Sequence, residues 1–290
     1  MTRGKPSAET PAHLARRALL AQLDKTIAGL GKGRRSDVAI HNIRKELKRA
    51  RAALRLLREC SGVVEYRRDN ALIRDAARPL TPIRDAKVLL QTLAGVEWGD
   101  GRRGFFLRLR KLLEEELRLA RRQLRPADLA AATRVLRGIR RRAAALPENR
   151  LAVPQPRALK RAFKKARSAY AAVKRRSTDQ SLHEWRKQTK YFANQLEMLL
   201  PFGRKLFDKS YRHATRLADC LGDDHDLAIL TQQIFRHAAA ARAAASNAAA
   251  RDADARELID AVSRRRKKLQ RRAMHLGRRL YSRKAGNYRS

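Results

Sequence analysis

The chain is 290 residues long and carries 69 Lys plus Arg against 28 Asp plus Glu, a formal net charge of +41. A hydrophobic fraction of 43% excludes a disordered basic tail, and the length suits one large domain or two ordinary ones. A compact body so unevenly charged repels itself, so its expected companion is a polyanion or an acidic surface.

The opening stretch MTRGKPSAETPAHLARRALL has no apolar core of signal-peptide length. Ala, Leu, Arg, Lys and Glu dominate the rest, and aromatic residues make up only 5%, so the expected fold class is all-α. Turn signals divide the first half into helices near 11–30, 37–60, 65–80, 82–94, 104–123 and 127–145. A polar, proline-bearing connection, LPENRLAVPQP, follows at 146–156. The second half reads as helices near 157–175, 180–200, 204–221, 224–245 and 251–281. No window approaches 18 uninterrupted apolar residues, and even the Ala-rich stretch before residue 255 is broken by Arg242, Asn247 and Arg251. The expectation is a soluble, cytoplasmic chain without membrane insertion. Cys60 and Cys220 lack CxxC spacing and read as small core residues in a reducing compartment; their distribution permits a disulfide without calling for one.

The two sides of the connection match. A shift of 142 residues places His41 on His183, Arg44 on Arg186, Lys45 on Lys187 and Lys48 on Lys190, then Leu54 on Leu196 and Leu57 on Leu199. It also carries Arg67 to Lys209 and Arg74 to Arg216; with one residue deleted, LTPIRDAKVLL falls on LGDDHDLAILT and Asp85 on Asp226. Lys and Arg alone repeat by chance in so basic a chain, but a His-x-x-Arg-Lys-x-x-Lys register followed by Leu at matching offsets does not. The expected architecture is two tandem, pseudo-symmetric helical bundles, residues 1–149 and 150–290, with equivalent basic helices facing one another across a shared groove.

On a helical wheel, Ile43, Leu47, Ala50, Leu54 and Leu57 follow the 4-3-4-3 spacing of a buried stripe. His41, Arg44, Lys48, Arg51 and Arg55 repeat that spacing on another face, flanked by Lys45 and Arg49, over ~21 Å at 1.5 Å per residue. In the second half Trp185, Thr189, Phe192, Leu196 and Leu199 take the core positions, and His183, Arg186, Lys187 and Lys190 face away. Ala193 and Glu197 stand where the first half has Arg51 and Arg55, so the first half carries the heavier charge. Arg74 and Arg78 add cations to one side, and Lys205, Lys209, Arg212 and Arg216 form a further stripe on the other. Each stripe also has a plainer reading, as the solvated face of an amphipathic helix.

HNIRKELKRARAALRLL and HEWRKQTKYFANQLEMLL resemble the paired signature segments of the CHAD domain, the conserved histidine α-helical domain. IRDAKVLL and DDHDLAIL are similar to the short Arg-Asp-containing segments that follow them. The resemblance implies an all-α fold of two pseudo-symmetric four-helix bundles with a basic central cavity or pore that binds inorganic polyphosphate, and location at polyphosphate granules. It points to His41, Arg44, Lys45, Lys48, Arg49 and Arg51, and to His183, Arg186, Lys187 and Lys190. Tyr191 and Ala193 replace further cations, and His225 stands where an arginine is expected, which implies a weaker grip in the second half.

Polyphosphate suits such residues because it offers closely spaced charge and no bases: guanidinium forks take two oxygens at once, and ammonium groups act as movable point charges. Nonspecific RNA or DNA binding at low salt is the rival, since phosphate contacts alone do not distinguish the ligands. Against it, the aromatics needed for stacking are few and fall on core positions, and no nucleic-acid-binding motif appears. Asp223, Asp224, His225 and Asp226 include metal-ligand types, but neighbouring helix positions diverge; the run reads as a helix start with Asp223 as N-cap. No Gly-rich phosphate loop or nucleophile triad stands out, so the expectation is a binder without turnover, cofactor or metal.

Overall fold

A computed structural model of the protein describes residues 9–32, 36–97, 104–152, 157–243 and 248–282, with the side chains of 240–252 outside the description. Positions 153–156 of the expected connection and 244–245 of an expected helix therefore lie outside the described residues. Among the described residues the fold is all-α, twelve α-helices with no strand.

The first half contains α1 (Pro11–Gly31), α2 (Asp37–Leu56), α3 (Arg58–Ser61), α4 (Val63–Ala76), α5 (Thr81–Ala94), α6 (Gly104–Gln123) and α7 (Pro126–Ala144). The short α8 (Glu148–Ala152) lies within the expected connection. The second half contains α9 (Arg157–Arg175), α10 (Asp179–Leu199), α11 (Arg204–Ala243) and α12 (Ala248–Tyr281). Side chains fix the helix starts: Ser36 Oγ accepts from Ala39 N at 3.2 Å, and Thr178 and Ser181 exchange side-chain and backbone bonds in a reciprocal cap.

The halves differ where proline does. Pro79 and Pro82 break the first half into α4, a 3-10 turn at Arg78–Leu80, and α5. The matching stretch of the second half has no proline, and α11 runs unbroken through it for 40 residues. This corrects two expectations: the helices near 204–221 and 224–245 are one, and Asp223 is a mid-helix residue rather than an N-cap. Its neighbour Asp224 is buried and accepts from Arg266 Nε at 3.1 Å and Gln270 Nε2 at 3.0 Å, tying α11 to α12.

α1, α2, α4 and α7 pack as one four-helix group; α9, α10, the first part of α11 and the last part of α12 form its counterpart. A single apolar core runs through both, and Ile43, Leu47 and Leu54 of α2 share it with Trp185, Phe192 and Leu196 of α10. A second core joins Leu89 and Leu93 of α5 and Leu109 and Leu113 of α6 to Leu230 and Ile234 of α11 and Leu258 and Val262 of α12. Both cores thus draw on both sides of residue 149. Cys60 and Cys220 are buried free thiols, and burial pushes Cys220 up to about 11. No helix among the described residues is long and apolar enough to cross a membrane.

Candidate functional site: a basic cavity between the halves

The apolar faces of α2 and α10 are committed to the shared core, so their remaining faces meet across a cavity. It measures about 420 Å³ and is lined by His41, Arg44, Lys45, Lys48 and Arg49 of α2, Arg84 of α5, and Arg186 and Lys190 of α10. Seven Lys or Arg face two lining carboxylates, and both carboxylates are engaged. Glu197 takes a forked contact from Arg49, whose Nε donates at 3.2 Å, and Asp219 lies 3.3 Å from Lys190 Nζ.

The break in the first half positions Arg44. Past the end of α4, the Ala77 carbonyl, which also takes Leu80 N at 3.3 Å and Thr81 Oγ1 at 3.2 Å, accepts from Arg44 Nη1 at 3.2 Å, and Thr81 Oγ1 accepts from the same atom at 2.6 Å. Two bonds on one nitrogen hold the guanidinium at the cavity wall, and burial lowers its pKa. Lys48 faces the cavity while protein surrounds it on most other sides. That burial, with Arg84, Arg186, Arg44 and Lys190 around it, pushes its ammonium down to about 7. Cations of both halves therefore converge on one lysine.

The two histidines part company. His41 lines the cavity, and burial followed by Lys48, Arg84, Lys45 and Arg44 keeps its ring below the ordinary range. His183 lies outside the lining and packs on His225, Nδ1 to Nδ1 at 3.3 Å. Burial, then Arg186, His183 and Arg84, push His225 down to about 4, so the pair is neutral at pH 7. Lys187 pairs with Glu184. Arg51 and Arg55 continue the α2 stripe beyond the cavity: Arg51 Nε donates to Asn70 Oδ1 at 3.0 Å, and Arg55 stacks 3.5 Å from the Tyr191 ring centroid. Arg74 and Arg78 share Asp75 on the exposed surface, and Arg212 pairs with Asp208 at 2.8 Å. Lys209 and Arg216 are exposed and do not line the cavity.

A family model for the CHAD domain matches residues 15–235. The chain belongs to the CHAD domain family. Its fold is similar to that of a solved CHAD domain from the plant Ricinus communis, with a TM-score of 0.61 and 17% identity over 98% of this chain and 96% of that one. No curated protein sequence matches the chain.

Sequence reasoning missed Arg84 in this CHAD domain, although IRDAKVLL contained the signal. Arg84 bridges the halves electrostatically, depressing Lys48 of one and His225 of the other. The one-residue-deleted register puts His225 at its equivalent position, so one cavity arginine is replaced by an uncharged ring. Asp226, pushed up by burial against the opposing pull of Arg84 and Arg186, is a further carboxylate beside these cations. Tyr191, read as a lost cation, instead supplies the ring beneath Arg55.

Proposed function

We propose that this CHAD domain binds inorganic polyphosphate in the cavity between α2 and α10, without turning it over, and is thereby held at polyphosphate granules. The observation that carries this reading is the convergence of seven Lys and Arg from both halves on one cavity whose carboxylates are already engaged. About 420 Å³ falls within the usual range for a bound ligand, and a linear polyanion needs no wider entrance than its own width. Arg44 is preorganised by its backbone anchor, and Lys48 supplies an adjustable point charge. Tyr211 is the one Phe, Tyr or Trp among the lining residues, so a base-free chain suits the cavity better than stacked bases.

Filter binding of long-chain polyphosphate against RNA of matched charge tests the reading. Polyphosphate is expected to bind more tightly, and R44Q and R186Q each to weaken it by at least about tenfold, the cost of a charge-assisted contact. RNA binding in preference to polyphosphate that R44Q and R186Q abolish, or polyphosphate affinity unchanged in both variants, refutes it. Phosphate release on incubation with a divalent metal would refute the absence of turnover. A fluorescent fusion should lose its granule location in the R44Q/R186Q double variant.

A further inference from the structure

A second basic surface lies apart from the cavity. α9 carries eight Lys or Arg and no acidic residue; residues 263–281 of α12 carry nine and none. Between the end of α9, the start of α10 and this part of α12 is a groove of about 610 Å³. Its cationic rim is Lys174, Lys267, Arg271 and Arg278, with His275 between the last two, and all five side chains are exposed. Among the described residues no ion pair occupies any of the four, in contrast to Arg49 and Lys190 of the cavity. Arg266 on the same helix turns inward to Asp179 and Asp224 and takes no part.

We propose that this groove binds the sugar–phosphate backbone of nucleic acid without reading its sequence. Lys267, Arg271 and Arg278 recur at helical spacing on one face of α12 and cover ~16 Å, a rail of charge for a phosphodiester strand. The lining also contains Val173, Leu182 and Met274. Cations beside apolar lining suit a strand that carries sugars between its phosphates, whereas polyphosphate has no apolar part to place there. No Phe, Tyr or Trp lines the groove, so bases gain no large stacking platform and contacts stay on the backbone. The groove shares no lining residue with the α2/α10 cavity, and the inference does not depend on what the cavity binds.

The test titrates a short labelled DNA duplex and long-chain polyphosphate separately against the wild-type chain, K267Q/R271Q, and K48Q/R186Q in the cavity. K267Q/R271Q is expected to bind the duplex about tenfold more weakly, with its log–log salt slope shallower by about 1.8 for two lost phosphate contacts. Its polyphosphate affinity is expected to change less than about threefold, since neither residue touches the cavity. All substituted groove side chains are exposed, and circular dichroism checks the fold; K267Q/R278Q repeats the measurement at a different pair. The proposal is overturned if the duplex does not bind at low salt, if its affinity is unchanged in both groove variants, or if K48Q/R186Q abolishes it. Equal loss of both ligands in the groove variants also overturns it, because the groove would then be a polyphosphate site. Failure of polyphosphate to bind at all would refute the cavity reading and leave the duplex result standing.

Discussion

Polyphosphate affinity should depend on pH through Lys48. Burial and the surrounding Arg84, Arg186, Arg44 and Lys190 bring the free ammonium down to about 7. A polyanion in the cavity stabilises the charged form and raises that pKa, so binding at alkaline pH takes up a proton. The direction follows: below pH 7 the amine is largely charged and adds little, so the pH dependence left there belongs to His41, whose ring the polyanion also helps to protonate, whereas above pH 7 affinity falls through Lys48. Between pH 7 and 8 the protonated fraction of the free protein drops about fivefold, and about tenfold for each unit beyond, so Kd should rise by these factors until the bound-state pKa is reached. His225, held down to about 4, does not titrate in that window in the free protein. Long chains keep their internal phosphates ionised throughout, so the ligand adds little pH dependence. Calorimetry in two buffers of different ionisation enthalpy measures the proton uptake directly, near half a proton at pH 7 and approaching one at pH 8. K48R keeps its charge at every accessible pH and should give a flat profile above pH 7. Wild-type affinity that is flat between about pH 6 and pH 9, or a K48R profile as steep as wild type, would refute the argument.

Two substitutions test the supports of the cavity. A methyl group at Gly277 would meet Trp185 Cζ2 at 2.7 Å and Tyr170 Cε2 at 2.9 Å, the first a fully buried core ring and the second a half-buried ring packed against that core. G277A should therefore destabilise the chain by about 1–3 kcal/mol in urea unfolding, and unchanged stability would show that the α12–α10 contact yields easily. E197Q removes the carboxylate that joins Arg49 of one half to α10 of the other. It should cost stability by about 0.2–1 kcal/mol yet tighten polyphosphate binding about two- to fivefold, since a competing anion leaves the cavity. Weaker binding would mean that Glu197 orients Arg49 for the ligand instead of occupying it.

The sequence by itself determined the all-α class, the repeat and the buried stripes of α2 and α10. Helical periodicity is local, and a buried face must keep its apolar residues in register wherever the helix packs. Ile43, Leu47 and Leu54, with Trp185, Phe192 and Leu196, are all in the core that their spacing required. The shared histidine register likewise put Arg44, Lys48, Arg186 and Lys190 on the faces that line one cavity.

What only the tertiary structure decided is which charges remain free to act together. Charge is written in the sequence one residue at a time, but its strength depends on burial and on partners far along the chain. Glu197 reaching Arg49, Asp219 reaching Lys190 and Arg84 arriving from α5 are long-range events that helical spacing cannot register. The same holds for Asp223: a run of acidic residues after glycine resembles a helix start, but packing against α5, α10 and α12 carries α11 straight through it. His41 and His183, identical in register, end in different surroundings: His41 lines the cavity under the charge of Arg84, whereas His183 packs on His225, which holds the position equivalent to Arg84.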